Sequence, residues 1–192
     1  ATAEAELARL EGSAQFEAKT ESARSSAIQA VDDAYSQADD AIRNRVDQFF
    51  KNADSVNPEI LNAFDDESDI APLVNSQKVV VRGILIAWKA ERPSIQSARK
   101  GLSTISSFLN EVSRAVNAFE TNSSLTQATI DKYKSDLATA RQNVNSALSD
   151  LISAEDNLNQ ALSDVPVQRS RVDAARATVG SYESDLSSTT IV

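Results

Sequence analysis

Apolar residues recur every three or four positions along most of this chain, which is the spacing of a helix with one buried face. The first such stretch extends from about residue 2 to residue 52 and is interrupted only by Gly12. From Ile28 onward its apolar positions are Ile28, Val31, Tyr35, Ala38, Ile42, Val46 and Phe49. The alternation predicts one long helix that packs along a single partner helix.

The last third of the chain carries the same pattern over a longer stretch, from residue 126 to about residue 187. Its first part places Ile130, Tyr133, Leu137, Ala140, Val144, Ala147, Leu151, Ala154, Leu158, Ala161 and Val165 at heptad spacing. Beyond Pro166 the spacing continues through Gln168, Val172, Ala175, Val179, Tyr182 and Leu186. A proline kinks or breaks a helix, but the unchanged register predicts that both halves belong to one seam.

Two shorter apolar stretches lie between these long ones. Residues 77–91, "QKVVVRGILIAWKAE", are apolar around most of the helix circumference, which favours a helix enclosed by neighbours over a buried strand. Residues 94–120 follow Pro93, which opens a helix without losing a hydrogen bond. The seam of this helix is Ile95, Ala98, Leu102, Ile105, Leu109, Val112, Val116 and Phe119.

The segment from residue 52 to residue 76 interrupts the periodic pattern with Asn57-Pro58, Ala71-Pro72 and an acidic cluster. Prolines and asparagines at such spacing are typical of a connector, to which we assign one helical turn over 59–64.

The pattern predicts an all-α fold, an elongated antiparallel helical bundle or coiled-coil hairpin with about four helices. The long helices, 2–52 and 126–187, pair, and the shorter helices, 77–91 and 94–120, are inserted between them. Only 4 Gly and 4 Pro in 192 residues, and 5% aromatic residues, favour narrow helix seams over a thick core. Since the chain contains no Met, even at position 1, we expect residues 1–192 to be a single domain excised from a larger protein.

Charge and composition disfavour several classes of function. The net charge of −9 makes nucleic-acid backbones and anionic lipid surfaces poor partners. The absence of Cys and His removes thiol nucleophiles, Cys/His zinc sites and histidine acid–base relays. With no phosphate-binding glycine loop either, we expect no enzyme, no cofactor, no metal and no small-molecule substrate.

Four groups of residues invite a chemical interpretation, and each has a simpler alternative. The acidic run 65–69 resembles a calcium loop but lacks the EF-hand spacing, which favours a solvated loop. Asp32-Asp33 and Asp39-Asp40 lie on a helix, where adjacent carboxylates point in different directions. They are therefore expected to be solvent-exposed rather than to act as a catalytic pair. Trp88 follows a run of apolar residues and is expected in the core rather than stacked on a ligand. The basic residues Lys132, Lys134, Arg169, Arg171 and Arg176 are interleaved with Asp and form an ordinary helix surface.

An apolar group near the far end of the first helix is the candidate partner contact. It comprises Phe49, Phe50, Ile60, Leu61 and Phe64. If these side chains are exposed they form a docking patch; the alternative is that they plug the end of the bundle.

The two ends of the chain resemble a known family. "DLSSTTIV" after a heptad-bearing helix is similar to the helix-to-strand junction of the membrane fusion, or periplasmic adaptor, proteins of the haemolysin-D-like (HlyD) family, through Leu186, Ser187, Thr189, Thr190 and Ile191. "ATAEAELARLEGSAQ" resembles the start of the ascending helix in the same family. The interior, at residues 32–50 and 130–151, is similar to the enlarged helical insert of a subset of its members.

The resemblance implies a structural adaptor segment, a rigid coiled-coil spacer that links an inner-membrane transporter of the ABC or RND type to outer envelope components in efflux or type I secretion. It implies a periplasmic location, anchorage through other parts of the parent protein and self-association of the full-length protein. An outer-membrane channel is a further candidate partner. Two alternatives remain: an extracytoplasmic sensor bundle of a chemoreceptor or histidine kinase, and a purely structural coiled coil.

Overall fold

The computed structural model of the chain describes residues 13–61, 70–122 and 125–189. The α-helices within these ranges are α1 (Ser13–Asp39), α2 (Ile70–Ala90), α3 (Ile95–Asn117) and α4 (Gln127–Thr189). The predicted all-α class is therefore confirmed. Residues 1–12, where the first helix was expected to begin, lie outside the described residues.

The first long helix changes its winding before residue 52. Asp40–Val46 form a π-helix and Asp47–Phe49 a turn of 3-10 helix, and the Asp47 amide donates to the Ile42 carbonyl, five residues earlier. The prediction of one uniform helix to residue 52 is therefore wrong over its last turns. The wider π turn brings residues five apart together, which places Arg45 beside Asp40.

A short antiparallel pair follows the 3-10 turn. Strand β1 (Phe50–Lys51) pairs with β2 (Glu59–Ile60), and Phe50 lies opposite Ile60. Asn52 takes a left-handed conformation, φ 52°, which asparagine tolerates better than most residues. The helical turn predicted over 59–64 is wrong for residues 59 and 60 because the Ile60 amide donates to Asn75 Oδ1 at 2.8 Å and holds the chain extended; residues 62–69 are not described.

Helix α2 begins at Ile70, seven positions before the predicted start. Pro72 lies in its first turn, where backbone amides lack intrahelical acceptors, so the proline removes no hydrogen bond. The prediction that α2 is enclosed by neighbours is wrong. One face is buried, yet Val80 is 53% and Ile86 46% exposed. By length and hydropathy α2 also qualifies as the one candidate membrane span among the described helices, with 22% of its most apolar window buried.

The α3 seam is confirmed, and the α4 seam is buried or partly buried from Ile130 to Ala161. Beyond Ala161 the prediction of one buried seam is wrong at Val165, Tyr182 and Leu186, which are exposed. In α3 every predicted position from Ala98 onward is buried, and Ser94 caps the helix by accepting from the Ser97 amide. In α4 the helix continues through Pro166, which is exposed, as far as Thr189. Ser187 and Thr189 are therefore helical, whereas Thr190 and Ile191 of the expected junction lie outside the described residues. In α1, Ile28 is 48% exposed and Ala27 takes the buried position instead.

The chain divides into two compact units: a central unit, residues 28–153, and a terminal unit, residues 1–27 with 154–192. In the central unit α1 and its π extension run antiparallel to α4, since Asp40 meets Asn143 and the later Gln48 meets the earlier Asp136. In the terminal unit Lys19 pairs with Asp164 at 2.6 Å. The expectation of a single excised domain stays a prediction.

Gly101 sets the close approach of α3 to α2. A Cβ atom at this position would lie 3.2 Å from Ile84 Cγ2 and 3.6 Å from Trp88 Cζ3, and Gly101 itself is buried. Gly180 in α4 is exposed and would have nothing within 4 Å of its Cβ. The same substitution can therefore be compared at Gly101, where neighbouring atoms are close, and at Gly180, where the surroundings are open.

We expect Gly101→Leu to lower the free energy of unfolding by about 1–3 kcal/mol because the new side chain overpacks the α2–α3 contact. Gly180→Leu should leave stability unchanged or raise it by up to about 1 kcal/mol, since leucine is the better helix former. Urea denaturation followed by circular dichroism measures both. Equal losses for the two variants would show that α2 and α3 do not pack closely at Gly101.

Candidate functional site

Charged and amide side chains surround the π-helix and join it to α4. The Asp40 carboxylate accepts hydrogen bonds from Asn44 Nδ2 and Arg45 Nε at 3.0 Å each, and from Asn143 Nδ2 of α4 at 3.4 Å. The Asn44 bond comes first among the causes that lower the pKa of Asp40. Three donors on one carboxylate hold this acid ionised, so its role here is to tie the π-helix to α4.

A second polar cluster joins the 3-10 turn to α4. Gln48 Nε2 donates to Asp136 Oδ2 at 2.8 Å, and Lys132 Nζ donates to both Gln48 Oε1 and Asp136. The pKa of Asp136 is lowered, chiefly by the hydrogen bond from Lys132. Burial raises it, and the hydrogen bond from Gln48 lowers it further. Lys132 was expected to form ordinary helix-surface patterning, and its i,i+4 pair with Asp136 agrees with that expectation.

The most unusual polar contact lies in the core, where Lys78 of α2 meets Asp47 of the 3-10 turn. The Lys78 side chain is 1% exposed, its Nζ lies 2.9 Å from Asp47 Oδ1, and the Asp47 side chain is 16% exposed. The same Nζ lies 6.0 Å from the centre of the Phe50 ring. Burial is the largest effect on Asp47 and raises the pKa of its carboxyl, whereas the nearby Lys78 ammonium lowers it.

Sequence reasoning missed Lys78, although a signal was present. Val74, Lys78, Val81 and Leu85 follow the four-three-four spacing of a buried face, and a lysine at a core position of such a face needs an acidic partner.

The candidate partner-contact residues lie mainly in the core. Phe49, Phe50 and Ile60 are buried, Leu61 is partly buried, and Phe64 is outside the described residues. The ring of Phe49 lies 4.7 Å from Tyr133, and that of Phe50 lies 6.2 Å from Phe108. The docking interpretation is therefore wrong for the three buried side chains, which pack in the core as the alternative interpretation predicted, because α3 and α4 supply aromatic partners.

Other predicted groups fall where their simpler interpretation placed them. Trp88 is 7% exposed and packs near Tyr35, with ring centres 6.0 Å apart, so it is a core residue. Asp32 is exposed and receives two 2.7 Å hydrogen bonds from Arg92. Asp39 pairs instead with Arg43, so adjacent carboxylates on α1 serve different partners. The acidic run 65–69 is outside the described residues.

An open groove lies on the surface of the terminal unit, beside Pro166. Its apolar lining includes Phe16, Leu162, Val165 and Val172, and charged residues of both signs border it. Within residues 13–61, 70–122 and 125–189, no group of three acidic side chains is placed to hold a metal ion.

Comparison of the chain with protein-family models, curated proteins and solved structures gave no match. Function is therefore inferred from the residues and their geometry.

Removing only one partner of the Lys78–Asp47 pair should be costly, since it leaves a buried charge without compensation. We expect Lys78→Met to lower the free energy of unfolding by about 3–5 kcal/mol. The double variant Lys78→Met, Asp47→Leu should recover most of that loss. Arg92→Met, which breaks an exposed pair with Asp32, should cost about 1 kcal/mol or less. Urea midpoints of the four proteins measure this, and equal effects of Lys78→Met and Arg92→Met would contradict burial of the pair.

The opposite pKa shifts of Asp136 and Asp47 predict opposite effects on acid stability. The folded-state pKa of Asp136 lies below 3.8, so its stabilisation is present above about pH 4 and is lost as the pH falls through the folded value. Asp136→Asn should therefore flatten the fall in stability on acidification.

The folded-state pKa of Asp47 is raised above 3.8, so its contribution declines as the pH rises through that region. Asp47→Asn should make the acid-side fall steeper, whatever it does to stability at neutral pH. Urea midpoints between about pH 2 and pH 7 measure both slopes. Slopes that change in the same direction in both variants would contradict the assignment.

Proposed function

We propose that this chain is a non-enzymatic spacer segment of a membrane transport assembly. The observation that carries the proposal is α4, a single helix of 63 residues that continues through Pro166. At 1.5 Å per residue this corresponds to about 95 Å of helix, far more than a compact domain needs. A helix of this length, with an apolar seam that is buried or partly buried from Ile130 to Ala161, suits a part that bridges a distance.

The polar side chains of the central unit support a mechanical role. Asp40, Asp47 and Asp136 each bind donors from another part of the same fold, and these contacts join the π-helix, the 3-10 turn, α2 and α4. Such cross-links resist sliding of one helix along another. In a spacer, this stiffness transmits position from one end to the other.

The resemblance of residues 181–192 and 1–15 to haemolysin-D-like adaptors supports the type of assembly. On this proposal the parent protein is anchored in the envelope and the segment lies in the periplasm. Its partners are an inner-membrane transporter of the ABC or RND type and outer envelope components. The function is efflux or type I secretion, and the full-length protein self-associates.

A sensor bundle is the second candidate, and the helical central unit favours it. If α2 shifted relative to the 3-10 turn, the buried Lys78–Asp47 pair would form in one position of α2 and break in the other, so the two positions would differ in energy. The sequence on either side of the segment in its gene separates the candidates. Two strand-rich halves of a lipoyl-like domain support the adaptor, whereas membrane-spanning helices on both sides support the sensor. Heptads that continue past residue 192 support a purely structural coiled coil.

A replacement experiment tests the spacer role itself. Exchanging the segment in its parent protein for an unrelated antiparallel coiled-coil hairpin of the same helix length as α4 should preserve transport, because the proposed role depends on length and stiffness. Joining the flanking sequences by a short loop should abolish it. Drug efflux or secretion of the cargo polypeptide is measured, with membrane levels of the parent protein as the control. Full transport without the segment would overturn the proposal.

A further inference from the structure

The outward side of α2 carries a second heptad pattern, separate from the one that faces the core. Its positions alternate spacings of three and four residues, and all six are exposed. This outward seam comprises Leu73, Ser76, Val80, Gly83, Ala87 and Ala90. Leu73 is 42% exposed and Val80 53%. The sequence of α2 therefore has the pattern of a helix that packs on two sides. The described part of the chain covers the core-facing side and leaves the outward seam uncovered.

The seam neighbours within α2 carry no charge. The positions that flank the outward seam within the helix are Gln77, Val79, Ile84 and Ile86, and none is charged. The basic residues of α2 lie elsewhere: Lys78 is buried in its ion pair, and Arg82 and Lys89 lie beyond Ile86 and Val79 around the helix. In a chain of net charge −9, the α2 residues of this face can meet those of an identical face without like-charge contacts. The charged residues Glu91, Arg92 and Lys100 border the groove beside Ile84 and Ala87, toward the C-terminal end of α2.

The outward seam is complementary to itself. Two copies of α2 related by a two-fold axis between positions 80 and 83 run antiparallel. Each residue of the outward seam then faces one residue of the second copy, and in every such pair at least one of the two residues is small. The facing pairs are Leu73 with Ala90, Val80 with Gly83, and Ser76 with Ala87. Large residues opposite small ones allow two helices to interlock at close distance, and a two-fold interface requires this kind of self-match.

We propose that α2 packs antiparallel against α2 of a second copy of this chain through the outward seam. The face is about 30 Å long and about 10 Å wide, so it offers roughly 300 Å² per copy. Stable complexes bury about 800 Å² per partner. The isolated chain therefore forms a weak, concentration-dependent dimer. The pairing is argued from α2 alone and does not rest on the proposed transport role.

Sedimentation equilibrium of the 192-residue chain from about 1 µM to about 1 mM tests the dimer. The mass should rise with concentration toward twice that of the monomer. Gly83→Leu should weaken dimerisation at least tenfold, because the new side chain fills the space that Val80 of the second copy occupies. It should not disturb the monomer, since a Cβ at Gly83 meets nothing within 4 Å. Gly180→Leu, the same change on an exposed part of α4, should leave dimerisation unaltered.

Cysteine cross-linking tests the antiparallel register, since the chain has no native cysteine. Under oxidation, a mixture of Val80→Cys and Gly83→Cys proteins should form disulfide dimers faster than either protein alone. Faster linking of Val80→Cys with itself indicates a parallel pairing and overturns the proposal.

Two further outcomes would also overturn it. One is a monomeric mass at every concentration; the other is a dimer that Gly83→Leu does not weaken. Flotation of a monomeric chain with phospholipid vesicles, abolished by Val80→Glu, would assign the face to a membrane instead. None of these results bears on the spacer role, which the replacement experiment tests separately.

Discussion

The central unit depends on one buried ion pair, Lys78 with Asp47. A lysine ammonium in the core requires a counter-charge, and Asp47 supplies it at 2.9 Å. The pair fixes α2 in rotation and along its axis, because only one position along the 3-10 turn presents the carboxylate. Val74, Val81 and Leu85, on the same side of α2 as Lys78, are buried with it. A purely apolar seam would tolerate slippage by one turn, whereas a buried charge does not.

The π-helix explains how Asp47 reaches that position. Its wider turns precede the 3-10 turn directly and lead Phe49 and Phe50 into the core beside Tyr133 and Phe108. Asp40 and Gln48 then bind α4 on either side of this change of winding. The irregular backbone costs some helical hydrogen bonding, and the polar contacts to α4 offset that cost locally.

Heptad spacing predicted the parts of the fold that depend on local pattern. The α4 seam, from Ile130 to Ala161, and the α3 seam were correctly predicted because each residue's burial follows from its position within a single helix. The π-helix, the β1–β2 pair and the start of α2 were not, since they depend on contacts between distant residues such as Ile60 with Asn75. The Lys78–Asp47 pair was missed for the same reason: nothing near Lys78 in sequence indicates where its partner lies.

The wrong prediction that α2 is enclosed has an informative cause. Its circumference is apolar because it carries two heptad patterns, and only the pattern containing Val74, Val81 and Leu85 meets the rest of the described chain. Lys78, on the buried side, orients the helix so that the second pattern faces outward. Selection against exposed apolar surface normally removes such a face unless it has a use. The ion pair therefore has two effects: it fixes the position of α2 in the central unit, and it turns Val80 and Gly83 outward, where both are exposed.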